Sequence, residues 1–539
     1  MKGKSALMAG VAAVALVMSA QAGFAGKKSS DGTSAATVAG APSGPSNAEL
    51  AARIQALEDE LQASETKVDT DHGRLSTLEQ NFNYTTWTFD NARPVVSSGD
   101  GRFSMAFRVR FQFDEANFMQ DSSAALTANA PKAIQDLSSG AVIRRGFFGI
   151  EGKAFSDFWY EFRLNAGGSN GGSAGASGVP TAGEGDPLMS LARVAYLGIP
   201  HWMINVGVIE PALMFEGTTS SGQLMFMERP EIDNIAADSF GAADSRRGIE
   251  VRYQKDSALM PGDNLVLNVA FTGNKTGSTA GHGGSATPGA GGDEQTQLLD
   301  RVSYRFWSDG PSNASIGFSN SNIFYSGNTA GGGSQTIRLR DRPEIRVDGT
   351  RLIDSGGIAA KTGNMMAFDG GVNFENFFLG GEWAQFQVDR QKSGVLAADH
   401  PTFSGYYIEG SWVLPGEPKT YTVTSTNNEV GGFGAPRVAR PFSFSGASWG
   451  AWELTARYSD TNLNWNQTTA ATATTQAGIN GGDERIITIG LNWYLNNNVK
   501  LQINDLITSV NKFSSASHIL ANKGSQDLNT VGVRLQFSN

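Results

Sequence analysis

The stretch from Arg102 to Asp114, RFSMAFRVRFQFD, puts Phe103, Met105, Phe107, Val109, Phe111 and Phe113 on one parity. Arg102, Ser104, Arg108, Arg110, Gln112 and Asp114 fall on the other. Successive side chains of a strand point to opposite faces, so the segment has one apolar and one charged face. A soluble sheet packed on a core allows the same alternation. An unbroken apolar face opposite three arginines suits lipid on one side and a wet lumen on the other.

This pattern recurs to about Phe537, so the 539 residues read as one large all-β domain rather than several ordinary ones. Glycine at 66 residues, phenylalanine at 31 and only 17% charged residues fit strands joined by large Gly-rich loops. With no cysteine, the chain offers no disulfide framework, thiol nucleophile or Cys zinc site. The net charge of −10 provides no general basic field, which argues against nucleic acid as a partner.

Lys2 and Lys4 precede an apolar run from Ala6 to Met18 and the small-x-small motif Ala20-Gln21-Ala22, so residues 1–22 are predicted to be a secretory signal peptide. The run is far below the roughly 20 residues a spanning helix needs, and no later stretch is long and apolar enough. A membrane location therefore requires a closed barrel, because lipid tolerates no unpaired backbone. Residues 23–46, rich in Ser, Gly, Ala and Pro, read as a flexible linker. From 47 to 83 the period changes: Leu50, Ile54, Leu57, Leu61, Ser64, Val68, Asp71, Leu75, Leu78 and Phe82 recur at alternating steps of four and three. That is a heptad seam, interrupted at Ser64 and Asp71, and it predicts a periplasmic coiled coil. The plainer reading is a single amphipathic helix lying on the barrel.

Residues 84–539 parse into sixteen strand candidates: 102–114, 141–155, 157–166, 188–199, 202–209, 246–255, 263–273, 297–308, 312–320, 364–374, 377–390, 402–414, 448–460, 483–495, 498–511 and 526–537. Short and long connections alternate between them, as in outer-membrane barrels. Connection 415–447 falls on the short side yet is long. The predicted fold is all-β: a 16-stranded antiparallel transmembrane β-barrel preceded by a short N-terminal coiled-coil helix.

Seven stretches resemble the phosphate-selective porin O/P family: RRGFFGIEGKAF (Arg144 to Phe155), TSSGQLMFMERP (Thr219 to Pro230), RPEIRVDGTRLIDSG (Arg342 to Gly356), FSGYYIEGSWVLPGE (Phe403 to Glu417), GAWELTARYSDTNLN (Gly450 to Asn464), and GLNWYLNNNVKLQIND (Gly490 to Asp505) with VGVRLQF (Val531 to Phe537). The resemblance implies a trimeric outer-membrane barrel of a Gram-negative bacterium, surrounded by outer-membrane lipid. It also implies basic lumen residues that guide anions, phosphate above all. Two features depart from that pattern. The chain ends Phe537-Ser538-Asn539 rather than on an aromatic. The third long loop, which in the family folds into the pore and carries lysine, has Arg229 as its only base between Glu210 and Ser245, against seven acids.

The candidate anion path is the inward parity of the strands, which besides Arg102, Arg108 and Arg110 holds Arg145, Lys153, Arg163, Arg301 and Arg305, with Arg193, Arg252, Arg457 and Arg534. Guanidinium stays charged and offers a planar fork of donors, which suits phosphate. Glu151, Glu161, Glu250, Glu409 and Glu453 share these faces, so cross-strand ion pairs that brace the wall are the competing reading. In the fifth long loop Arg338, Arg340 and Arg342 sit two apart. Folded inward, they would supply the positive charge the third loop lacks; outside, they would be solvated charges.

Enzyme chemistry is poorly served. His72, His201, His282, His400 and His518 fall in the helix, a turn or loops, none is spaced like a metal pair, and no cofactor motif is present. Two functions remain: a diffusion porin for small anions such as phosphate and chloride, or a structural barrel tethered to the cell wall by its coiled coil, with an incidental or plugged pore.

Overall fold

The computed structural model describes residues 46–90, 92–120, 136–168, 188–276, 293–327, 336–392, 398–467, 476–513 and 523–539. The predicted signal peptide, nearly all of the linker and the loop containing His282 lie outside them. The chain divides into two units, up to Glu79 and from Gln80 onward.

Helix α1 spans Asn47–Tyr84. Its start is fixed by a reciprocal capping box: the Glu49 amide donates to Ser46 Oγ at 3.3 Å, and the Ser46 amide donates to the Glu49 carboxylate at 3.0 Å. Leu50, Ile54, Leu57, Leu61, Val68 and Leu75 are all exposed along it.

In the second unit sixteen strands form a barrel: β1 (Ser104–Gln120), β2 (Gly140–Ala154), β3 (Phe158–Asn165), β4 (Leu188–Tyr196), β5 (Trp202–Ile209), β6 (Arg246–Asp256), β7 (Asn264–Lys275), β8 (Thr296–Asp309), β9 (Ser312–Tyr325), β10 (Ile358–Phe374), β11 (Phe377–Arg390), β12 (Thr402–Leu414), β13 (Ala451–Trp465), β14 (Ile479–Tyr494), β15 (Val499–Phe513) and β16 (Lys523–Ser538). Each pairs antiparallel with its sequence neighbour, and β16 closes the ring on β1, with Phe537 opposite Phe111 and Arg534 opposite Asp114. A preceding hairpin, Thr85–Asp90 with Arg93–Ser98, joins the sheet at the start of β1.

The predicted parity holds in β1, where Gln112 and Asp114 are fully buried while Phe111 and Phe113 stay 39% and 38% exposed. The outward positions continue as an apolar belt through Val194, Ile249, Phe271, Ile316, Ile408 and Ile489. Toward the short-turn end it finishes in aromatic pairs, Phe377 on Trp412 and Trp452 on Trp493. Such a girdle suits a membrane–water boundary.

A sixteen-stranded barrel is too wide for its wall side chains to fill. Three connections occupy the lumen instead. Loop 210–245 carries a short 3-10 turn at Glu216–Thr218 and helix α2 at Glu231–Phe240. The end of α2 is set by Gly241, left-handed at φ 79°, with Ala242 N reaching Ala236 O at 3.2 Å. A Cβ there would lie 2.2 Å from Gln297 Nε2. Residues 336–357 of the fifth long loop come in from the same side as loop 210–245. The long short-side connection, 415–447, enters from the opposite end. Their apolar residues meet at mid-lumen: Leu213, Phe215, Phe226, Ile232 and Phe240 of the first loop pack with Leu339, Ile345 and Ile353 of the second and Phe433 of the third. Phe215 stacks on wall residue Phe378 at 6.4 Å and faces Phe433 at 6.0 Å. Each such side chain, fully buried, contributes about 1.5–3 kcal/mol.

Candidate functional site

The lumen wall has two unlike arcs. Along β13–β16 and β1, inward polar side chains bind the backbone of the irregular stretch 220–228 of the third long loop. Gln536 donates to Gly222 O at 2.7 Å, Gln112 to Ser221 O at 2.9 Å and Lys500 to Leu224 O at 2.8 Å. Asn492 donates to Met225 O at 2.8 Å, and Arg457 to Glu228 O at 3.0 Å. A buried loop must place its backbone groups with partners, and this wall provides them.

Glu228 anchors the end of that stretch. Arg144 and Arg534 each reach its carboxylate at 2.7 Å, and Arg145 and Arg346 lie at 3.6 Å. Burial alone would raise the Glu228 carboxyl; the four guanidinium groups override it and hold it well below the usual carboxylate range. Arg534 also forks onto Asp114 at 2.6 and 2.7 Å. On the same loop Asp233 has no ion-pair partner among the described residues, and burial, with Glu216 beside it, pushes its carboxyl up to about 8.

Along β2–β10 the wall pairs mostly with itself. Arg193 binds Glu161 at 2.7 Å, Arg252 binds Glu250 at 2.8 Å, and Arg301 binds Asp369 at 2.5 Å. Arg163 binds Glu210 at 2.5 Å, Arg305 binds Asp256 at 2.8 Å, and Arg108 binds Glu151 at 3.2 Å. The tip of connection 415–447 lies over this ladder. Asn427 takes a hydrogen bond from Arg193 at 2.9 Å and offers its carbonyl to Arg252, and Ser303 donates to Gly431 O at 2.9 Å. A cavity of about 620 Å³ opens at the short-turn end, lined by Gln223, Thr420, Arg437, Lys500 and Gln536. One of about 190 Å³ lies on the long-loop side, beside Asp238, Arg338 and Arg340.

The predicted path residues sort accordingly. Arg102 is displaced from it: β1 starts two residues later, and Arg102 is exposed at the rim, its guanidinium 5.9 Å from the Phe103 ring. Lys153 is likewise exposed near the rim end of β2. Arg108, Arg163, Arg301 and Arg305 sit inward in the ion pairs just described, so for them the bracing geometry is the one present. Arg145 is buried against Gln112 at 2.7 Å. Arg110 bonds only hydroxyl groups among the described residues: Ser220 at 2.8 Å, Ser221 at 2.6 Å and Ser538 at 3.2 Å. It shares the Phe147 ring with Arg163, at 5.4 and 4.7 Å.

In the fifth loop Arg338 is exposed and paired with Asp354. Arg340 is half-buried and Arg342 buried, and neither guanidinium has a carboxylate within bonding distance among the described residues. The loop does fold inward: Glu344 binds Arg457, and Ser459 donates to Glu344 at 3.1 Å.

Parity alone missed Arg144. A bulge in the β1–β2 pairing, between Gln112 opposite Arg145 and Phe113 opposite Ile143, turns two consecutive arginines into the lumen. Arg346, which with Arg351 follows the fifth-loop arginines in sequence, reaches Glu228. Parity also missed Lys419, which binds Glu453 at 2.8 Å and whose only signal is the unexpected length of its connection.

Several solved barrels are similar to the chain. The outer membrane channel DcaP of Acinetobacter baumannii shares 11% identity over 82% of this chain and 99% of its own, with a TM-score of 0.42. An anion-selective porin from Comamonas acidovorans shares 13% over 81% and 100%, also at 0.42. OmpT of Vibrio cholerae shares 8% over 81% and 99%, at 0.41. No curated protein matches the chain significantly. The family description "Phosphate-selective porin O and P" matches residues 123–538, most of the barrel, and the chain belongs to that family.

Proposed function

We infer that this chain works as an outer-membrane channel, a reading that its family and its barrel fold support. We propose that it passes small anions, chloride and phosphate among them, with weak to moderate selectivity. The carrying observation is that several inward or loop-borne guanidinium groups have no carboxylate partner among the described residues, among them Arg110 and, on the fifth loop, Arg340, Arg342 and Arg351. Charged groups lining a narrow passage set the sign of the permeant ion. The third loop's acids oppose a strong field only weakly, because Glu216, Glu228, Glu231 and Asp233 are all buried. We place Arg110 and the fifth-loop arginines on the ion path, and read the paired wall arginines as its frame. The working form in this reading is a homotrimer whose α1 helices associate through their exposed stripe and reach toward the cell wall.

The test is the reversal potential of the purified protein in a bilayer under a potassium chloride gradient, followed by phosphate titration of the chloride current. Anion-selective reversal with shallow phosphate block is expected; a cation-selective reversal refutes the reading. A scaffold with a closed lumen is the second reading, favoured by the apolar cluster at mid-lumen. It requires that no steady open current be seen.

A further inference from the structure

Connection 415–447 begins inside the barrel and ends outside it. Pro436 and Arg437 still line the short-turn cavity. The chain then crosses the rim, where Val438 N donates to Asn497 Oδ1 at 2.8 Å and Phe442 N to Leu495 O at 2.7 Å. Beyond that point it folds on itself. Ser443 and Ser448 exchange backbone hydrogen bonds at 2.9 and 3.2 Å, and Ser448 Oγ donates to Arg440 O at 2.9 Å.

The Phe442 ring lies 5.3 Å from Trp493, edge on, and 5.9 Å from Trp449. Trp493 is on the outer face of β14. Its register partner Trp452 stacks on it at 5.0 Å, while the adjacent Glu453 and Asn492, of opposite parity, are buried in the lumen. The hook therefore rests on the outside of the wall.

There it presents Phe444, 87% exposed, and Trp449, 62% exposed, the former barer than the strands' own lipid-facing residues. They continue the apolar surface of Leu454, Ile487 and Ile489. Arg440 is exposed in the same hook, and no acidic residue occurs from Val438 to Gly450. Apolar rings and a cation on a backbone partly paired within the hook and tied to the rim match the chemistry of an anionic lipid surface.

We propose that residues 438–450 form an interfacial anchor, which inserts Phe444 and Trp449 at headgroup depth and sets Arg440 against the phosphate of an anionic phospholipid. This anchoring is independent of which ions the pore passes.

The cysteine-free chain permits a clean test. Full-length protein with Phe444→Cys, labelled with a polarity-sensitive fluorophore, is reconstituted in phosphatidylcholine vesicles containing phosphatidylglycerol. Expected are blue-shifted emission and stronger quenching by lipid spin-labelled near the headgroup than at the chain end. Arg440→Ala, an exposed change, should bring the phosphatidylglycerol retained by the purified barrel down to its bulk proportion. Heat-dependent gel mobility shows that each variant is folded. Water-like emission without lipid quenching overturns the proposal, as does unchanged phosphatidylglycerol retention in Arg440→Ala. Energy transfer between labelled copies without lipid quenching also overturns it, because a second chain would then cover the hook.

Discussion

The two arcs of the lumen wall use similar residues to opposite ends. On β13–β16 and β1 the inward donors are bound to the third loop: Arg534 holds Asp114, Glu228 and Met227 O at once. On β2–β10 most guanidinium groups have a wall carboxylate, and the inserted tip at Asn427 adds hydrogen bonds to groups already paired. One arc thus leans chiefly on its loop to satisfy buried charge, whereas the other is satisfied mainly by its own wall, with Arg246 and Glu250 as exceptions that also reach the third loop. The second arc is where a passage can open at low energetic cost.

The strongest way to break this contrast is to remove the inserted tip. Replacing residues 420–434 by a short Gly-Ser link should raise single-channel conductance several-fold, because the ladder beneath keeps its own pairs. Unchanged conductance would show that ions do not run along this arc.

Next in size, Arg534→Ala leaves Asp114 buried without its forked partner and takes one of four cations from Glu228, at a cost of about 3–5 kcal/mol. The same change at Arg252 should cost less, as Glu250 keeps hydrogen bonds from Asn205 and the Ala212 amide. Thermal unfolding of the two variants, followed by the heat-dependent gel shift, compares the arcs directly; equal losses would erase the distinction.

A smaller effect is expected from replacing Arg338, Arg340 and Arg342 together by Ala. The reversal potential should move toward cations, more than with Arg229→Ala, whose guanidinium is engaged by Glu216 O and Thr219 O. A larger shift from Arg229 would put the fifth loop off the path.

The smallest effect is on pH dependence. Asp233, at about 8 in the fold and near 3.8 when unfolded, binds more protons in the native state between those values. Stability from this group is therefore full below about 4, declines as pH rises, and is lost above about 8. Asp233→Asn should flatten that part of the stability–pH curve; an unchanged slope would assign it to other groups.

The strands were legible because lipid demands a period of two. All sixteen appear, and 202–209, 377–390 and 402–414 match residue for residue. Reading faltered where lipid stops imposing the pattern. β1 runs on to Gln120 with Glu115 and Asn117 outward, so no apolar face marks its end. Hairpin 85–98 and helix α2 were not foreseen, although Pro230, Glu231, Asp233 and Gly241 are ordinary helix boundary signals. Of the site, the inward arginines were readable from parity. Which of them are neutralised was not, since that depends on cross-strand register, on one bulge and on loops that return to the wall from hundreds of residues away.

The closing pair of strands has a consequence for assembly. β16 carries Arg534 and Gln536, whose acceptors include Met227 O, Glu228 and Gly222 O on a loop more than 300 residues earlier in the chain. If β16 docked on β1 around an empty interior, the seam would keep the pairs Arg534–Asp114 and Gln112–Gln536 but would lack these three loop acceptors. The last seam therefore gains its full set of partners only once the third loop is in place. Ring closure and the filling of the lumen are thus coupled: each is more stable for the other.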